Sequence, residues 1–352
     1  MIRLAKRFGR FTSIFVFAAA FVILALWLQL LELAPIVCLV LAPVAILVFC
    51  ASFALLAGML FVKAPAPSGR ELSRSEAPLI WAIWDAFDPD TTGQRVLCID
   101  DPLNASISER RRWFGLFGRQ TTMTIGLELL LLADERLLKT VIAHEVGHAR
   151  HQHTTGATNL AEFLQTFDTL FEFADPETTI VGRLANLGVG AWLDRANGEQ
   201  MRLSRKNELE ADRVAAKLCG RDAAADSEVF MATVTKALQT EIYDPLEKEL
   251  VSAIRAPEPP HERVLGKRIS LVSEATQERF LPEAWAETVD EDASHPSFRQ
   301  RFENIAPGTE PRPVRVGASA ARTLLQPELL RTLQDEARKS WTDQIEEAVG
   351  IY

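Results

Sequence analysis

Ala143-His144-Glu145-Val146-Gly147-His148-Ala149 is the stretch on which the reading of this chain turns. It is an H-E-x-x-H pattern inside a run whose apolar residues recur with helical period. Residues four apart on a helix lie one above the other, so His144 and His148 can both turn an imidazole nitrogen toward one metal ion. Glu145 lies about 100° further round the helix, beside that ion, where it can take a proton from a water. This is the layout of a zinc hydrolase. The competing reading is a helix whose histidines only extend an apolar stripe, since Leu137, Val141, His144, His148 and His151 share a face. Three features favour the metal: Asp134 suits the helix N-cap, Gly147 leaves space beside the site, and a matching acidic helix follows downstream.

That acidic helix is expected to start at Ser204 and carries Asn207-Glu208-Leu209-Glu210-Ala211-Asp212. Glu208 and Asp212 are again four apart and share a face. Two neutral histidines leave room on zinc for one carboxylate and a water, the three-ligand arrangement of catalytic sites. Glu208 supplies the carboxylate, and Asp212 can accept the free N–H of a ligating histidine. His151 and His153 are read as exposed or beside the ligands, and Thr154 stands where a third histidine ligand six residues after His148 would fall.

The chain has 352 residues, 48% apolar and 24% charged, which marks it as globular rather than disordered. A net charge of -9, with no long basic block beyond the N-terminus, argues against nucleic acid as a partner. Cys38, Cys50, Cys98 and Cys219 form no C-x-x-C pair and are expected to be reduced, buried thiols.

Arg3, Lys6, Arg7 and Arg10 precede an apolar run at about 11–31, and a second run covers about 36–62. Each is long enough to cross a bilayer as a helix. Basic residues flank the outer ends and only Glu32 marks the turn, so the positive-inside rule puts both ends and the following domain in the cytoplasm. The expected division is a transmembrane hairpin at 1–63, a linker at 64–76, a metalloprotease domain at 77–305 and a loop with a helical tail at 306–352. Within the domain, strands are expected at 95–99, 105–108 and 121–125. The last is read as an edge strand on which an extended peptide could pair. Residues 180–192 read as an interfacial helix or one covering the active site, Arg110-Arg111-Arg112-Trp113 as a solvated turn, and His261 as exposed. Leu333 and Trp341 of the tail are expected to pack on the domain.

These motifs together resemble the membrane-bound zinc metalloproteases of the HtpX and CAAX prenyl protease type. The resemblance rests on H-E-x-x-H, on E-x-x-x-D at Glu208 and Asp212, on Asn104-Ala105-Ser106, on Gly126-Leu127-Glu128-Leu129-Leu130, and on Ser294-His295-Pro296-Ser297 with Arg301 after it. It covers roughly 95–302, with gaps. It implies a gluzincin peptidase domain, α+β and mainly helical with a small sheet, one zinc ion per chain, cleavage of peptide bonds and a place in a bacterial inner membrane. The single hairpin departs from the many-span layouts of both namesakes, so their substrates do not carry over. Under the resemblance, His295 can hydrogen-bond the oxyanion of the tetrahedral intermediate. The alternative makes it a structural neighbour of a helix start, with Pro296 in the first turn. The reading is a zinc endopeptidase acting on membrane-associated or misfolded proteins. A protease cutting one regulatory partner and a non-catalytic zinc-containing scaffold remain the alternatives, and the sequence does not give the oligomeric state.

Overall fold

The computed structural model describes residues 1–61, 69–89, 93–111, 118–173, 175–253, 255–290 and 293–349. Part of the expected linker, Arg112-Trp113 and the His153 side chain lie outside them. The chain divides into two compact units, 1–65 with 152–206 and 292–294, and 66–151 with 207–291 and 295–352.

The first unit opens with α1 (Ile2–Phe8), α2 (Thr12–Leu33) and α3 (Pro35–Phe61). Ile2–Leu33 and Pro35–Leu60 are long and apolar enough to cross a membrane, judged by length and composition. Their large side chains from Ile14 to Phe53 are largely exposed, and an apolar helix surface facing outward suits lipid rather than water. At the base of the hairpin the pattern reverses. Ala5 and Leu55 are buried in a cluster with Leu160, Phe163 and Phe167 of α7 (Ala157–Phe173) and with Ala196 and Leu203. Asn159 Nδ2 donates to the Lys6 carbonyl at 2.9 Å, and Lys6 pairs with Glu199. Of the cysteines expected to be buried, Cys38 and Cys98 are; Cys50 is exposed on the outer face of the hairpin and Cys219 is half-buried, all four unpaired.

The second unit is built on a four-stranded sheet. β1 (Arg70–Leu72) is followed by α4 (Pro78–Phe87), β2 (Gln94–Asp100), β3 (Ala105–Arg111) and β4 (Arg119–Gly126), in the order β1-β2-β4-β3. β2 and β4 run parallel, with Leu97 opposite Met123 and Ile99 opposite Ile125. β3 pairs antiparallel with β4. The strand at 121–125, expected at an edge, is therefore interior: its backbone groups are taken on both sides, and no peptide can add there. Among the described residues the free edges belong to β1 and β3. Trp81 and Trp84, three apart on α4, stack at 5.2 Å against this core.

Gly126 ends β4 where a side chain is impossible, because a Cβ would lie 1.5 Å from the Pro102 carbonyl oxygen. The chain turns into α5 (Leu127–Leu132), all six residues buried, and then α6 (Glu135–Thr155), the helix of H-E-x-x-H. Asp134 caps it as expected: Oδ1 accepts from the Leu137 N–H at 2.9 Å, while Oδ2 accepts from the Gly317 N–H at 3.0 Å. The acidic helix does not start at Ser204. It is the end of α8 (Ile180–Cys219), one 40-residue helix, so residues 180–192 are its first turns rather than a separate element. The reason is local: between 192 and 204 there is no proline, and exposed Gly198 alone is too weak a breaker to stop a helix.

α9 (Arg221–Leu238) passes through a π-turn at Gln239–Tyr243 into α10 (Asp244–Val251). The π-turn delivers the Tyr243 hydroxyl to Glu128, donating at 2.7 Å. α11 (Pro260–Leu271), α12 (Glu274–Ala286), α13 (Phe298–Ile305), α14 (Ala320–Leu324) and α15 (Pro327–Val349) complete the unit. His261, expected to be exposed, is 3% exposed. Proline at the first position starts α11 immediately before it, which turns the imidazole inward rather than leaving it on a loop. There it lines a cavity of about 200 Å³ with Glu128, Tyr243 and Trp341. The tail packs as expected, with Leu333 in the core and Trp341 Nε1 donating to the Pro257 carbonyl at 2.9 Å. The mainly helical α+β architecture with a small sheet is thus the one anticipated.

Candidate metal centre

α6 and the end of α8 meet at two small residues. A Cβ on Gly147 would lie 2.8 Å from Ala211 Cα and 3.1 Å from the Ala211 carbonyl oxygen. Gly147 therefore does not leave space beside the site; it lets the two helix backbones come into contact. Gly147 sits between His144 and His148, and Ala211 between Glu208 and Asp212, so the contact brings both pairs face to face.

His144, His148 and Glu208 form a group that could hold a metal ion. The two Nε2 atoms lie 3.0 Å apart. Glu208 Oε2 is 3.4 Å from His144 Nε2, and Oε1 is 3.4 Å from His148 Nε2. A tetrahedral ion with bonds of about 2.0–2.1 Å sets neighbouring donors about 3.3–3.4 Å apart; the donor set fits zinc in type, the two histidine–Glu208 separations match that spacing, and the two imidazole nitrogens, at 3.0 Å, would open by about 0.3 Å around an ion. His144 Nδ1 lies 3.0 Å from Asp212 Oδ1. That contact selects the tautomer in which Nε2 is free to ligate.

The electrostatics favour a cation between these groups. Burial pushes His144 down, yet its bonds to Asp212 and Glu208 outweigh this and raise it to about 10. Burial pushes the Glu208 carboxyl up, but the three histidines and Arg301 hold it far below the usual carboxylate range. Glu145, half-buried, is raised by burial against the pull of His144 and His148.

His295 is brought into the site by the turn before α13. Its Nδ1 lies 2.8 Å from Glu208 Oε1, and its side chain is otherwise exposed. The N-cap of α13 is Ser297 rather than a residue before Pro296. Ser297 Oγ accepts from the Gln300 N–H at 3.3 Å, and Gln300 Oε1 accepts from the Ser297 N–H at 3.0 Å, a capping box. Pro296 thus stands before the cap, outside the first turn.

This cap also aims Arg301. Its Nη2 donates to Asp212 Oδ1 at 2.5 Å and its Nε to Asp212 Oδ2 at 3.1 Å. Glu228 of α9 lies 2.7 Å from the same Nη2. In the sequence Arg301 stands out only as part of the late H-P-S element, and Glu228 belongs to no motif. The one local signal for Glu228 is its helical spacing, four residues after Ala224 and next to Val229-Phe230, which puts it toward the apolar face, where a charge sits only with a partner.

Two comparisons bear on this site. The model of peptidase family M48 matches residues 113–307, a span containing α6, α8, α9 and the His295–Arg301 turn. No solved structure matches the chain at a significant level.

Proposed function

The chain belongs to peptidase family M48, the family of HtpX and CAAX prenyl protease zinc metallopeptidases, and from that membership we propose that this metallopeptidase is a membrane-anchored zinc endopeptidase. The observation that carries the proposal is the set of donor separations among His144, His148 and Glu208. His144, His148 and Glu208 would hold the zinc, which would supply Lewis-acid polarisation of a carbonyl and acidification of a water. Glu145, beside the histidines, would act as the general base toward the attacking water and would return the proton to the leaving amine. Asp212 holds the His144 ring in its ligating tautomer. His295 donates to the developing oxyanion. The N-terminal hairpin, 1–63 in this reading, keeps a cytoplasmic site near the bilayer, which suits membrane-associated or misfolded protein substrates. Interior β4 leaves β3 as the longer free edge for an extended peptide.

The test uses the full chain in detergent, wild type and Glu145→Gln, with bound zinc measured and each incubated with casein. The expected result is about one zinc per chain in both and cleavage by the wild type alone. A wild type that binds no zinc refutes the metal centre. Equal cleavage by both refutes Glu145 as the base.

A further inference from the structure

Arg301 is a cation placed next to a site built to attract one. Its Nη2 lies 2.5 Å from Asp212, 2.7 Å from Glu228 and 3.9 Å from Glu208 Oε2. Both Glu208 oxygens face the histidine nitrogens, so a guanidinium that moved the remaining distance would occupy the carboxylate that a metal needs. Asp212 alone does not prevent this, because Nη2 carries two N–H groups and Asp212 Oδ1 takes one of them. The other has the His144 ring beside it, with Nδ1 at 3.3 Å and the ligating Nε2 at 3.4 Å from Nη2, and stays off that nitrogen only if a nearer buried acceptor takes it. Glu228 is that acceptor: it comes from α9, an element contributing none of the proposed ligands, and is itself buried.

We propose that Glu228 is a positioning residue for the metal centre, holding the Arg301 guanidinium on Asp212 and away from Glu208. The chain of contacts runs Glu228, Arg301, Asp212, His144, each link at hydrogen-bonding distance. Glu228 thereby acts on both sides of the site. It fixes the carboxylate that orients His144, and it keeps a competing cation off the third ligand. The inference rests on the zinc reading above, but its test separates the two.

The experiment strips the full chain of metal and measures its zinc dissociation constant by chelator competition. The variants are Glu228→Gln, Glu228→Asp, Arg301→Gln and the Glu228→Gln/Arg301→Gln pair. The melting temperature of each stripped protein is recorded alongside. Glu228→Gln is expected to weaken zinc binding about 10–100-fold, the range for partners one step removed from a ligand, while the stripped protein melts as the wild type does. Glu228→Asp, which keeps the charge, recovers part of the loss. Because Glu228 acts through Arg301, the double variant binds zinc no more weakly than Arg301→Gln alone. Two results overturn the inference while leaving the metal centre standing. One is zinc affinity in Glu228→Gln within twofold of wild type. The other is losses that multiply in the double variant. A stripped Glu228→Gln that fails to fold leaves Glu228→Asp to decide, and wild-type melting with no recovery of zinc affinity relative to Arg301→Gln overturns the idea as well. A wild type that takes up no zinc overturns the metal centre itself.

Discussion

Gly147→Ala is the smallest change that should disable the site while sparing the fold. The added methyl carbon would lie 2.8 Å from Ala211 Cα, whereas ordinary contact begins at 3.4 Å. The obstacle is backbone and cannot rotate away, so the axes of α6 and α8 must part locally by about 0.6 Å, the difference of those two distances. Metal sites tolerate errors of about 0.2 Å in ligand distance. The separation of His144 and His148 from Glu208 would exceed that tolerance. Overpacking of this kind costs about 1–3 kcal/mol, and a displacement near 1 Å at a reacting centre costs about 10²-fold in rate. We expect Gly147→Ala to remain folded, melt a few degrees lower, and lose most of its zinc and about 10²-fold of its casein cleavage. Ala211→Gly should not rescue it, since the clash is with Cα and the carbonyl. Gly198→Ala is the matched control: nothing lies within 4 Å of its Cβ on exposed α8, and relief of helix-interior glycine should stabilise by about 0.5–1 kcal/mol. The assay is zinc content by mass spectrometry together with a melting curve and a cleavage rate. Wild-type zinc and activity in Gly147→Ala would show that the helix contact does not set the ligand geometry.

Three further outcomes follow from particular residues. His295→Ala should retain zinc and lose about 10²-fold or more in turnover; full turnover removes it from the proposed machinery. Burial raises Glu128 from 4.5 to about 7 despite its bond from Tyr243, so the folded chain binds an extra proton between those values. Stability should therefore fall as pH climbs from about 4.5 to about 7, by about 3 kcal/mol in all. Glu128→Gln should flatten the melting-temperature profile across that window, and parallel profiles for the two proteins would count against the burial argument. Proline in place of Thr122 should unfold the domain, because interior β4 has ladder partners on both sides; a folded variant altered only in its Michaelis constant would restore the edge-strand reading.

Periodicity made some of this architecture legible and withheld the rest. H-E-x-x-H and E-x-x-x-D announce themselves because four-residue spacing on a helix is a local property, and the structure brings His144, His148, Glu208 and Asp212 together. The apolar runs of the hairpin are legible for the same reason: length and composition suffice. What sequence spacing does not contain is the partner across space. Strand order is one case, since nothing in Thr121-Thr122-Met123-Thr124-Ile125 says which strands flank it. His261 is another, because a histidine after Pro-Pro looks like loop until Pro260 is known to start a helix. Gly147 stands out in the motif, but whether a glycine makes room or removes it depends on what it faces. Arg301 and Glu228 meet over a gap of 73 residues, counted from their numbers, and no pattern within either helix registers that meeting.

Asp134 divides its two carboxylate oxygens between the start of α6 and the Gly317 N–H, and the Ala320 N–H donates to the Ala133 carbonyl at 2.8 Å. The helix that carries the histidines is therefore begun, in part, by chain from beyond its family-matched span of 113–307. β2, which flanks β4 at the middle of the sheet, also lies outside that span, on the other side. A fragment cut to the matched boundaries would keep every proposed ligand, yet it would lose β3 as well as β2, strip β4 of both its ladder partners and leave the first turn of α6 half-tied. For anyone trimming this protein for crystals or assays, the working limits are Arg70 and the buried part of α15 through Ala337, not the ends of the motif-bearing region.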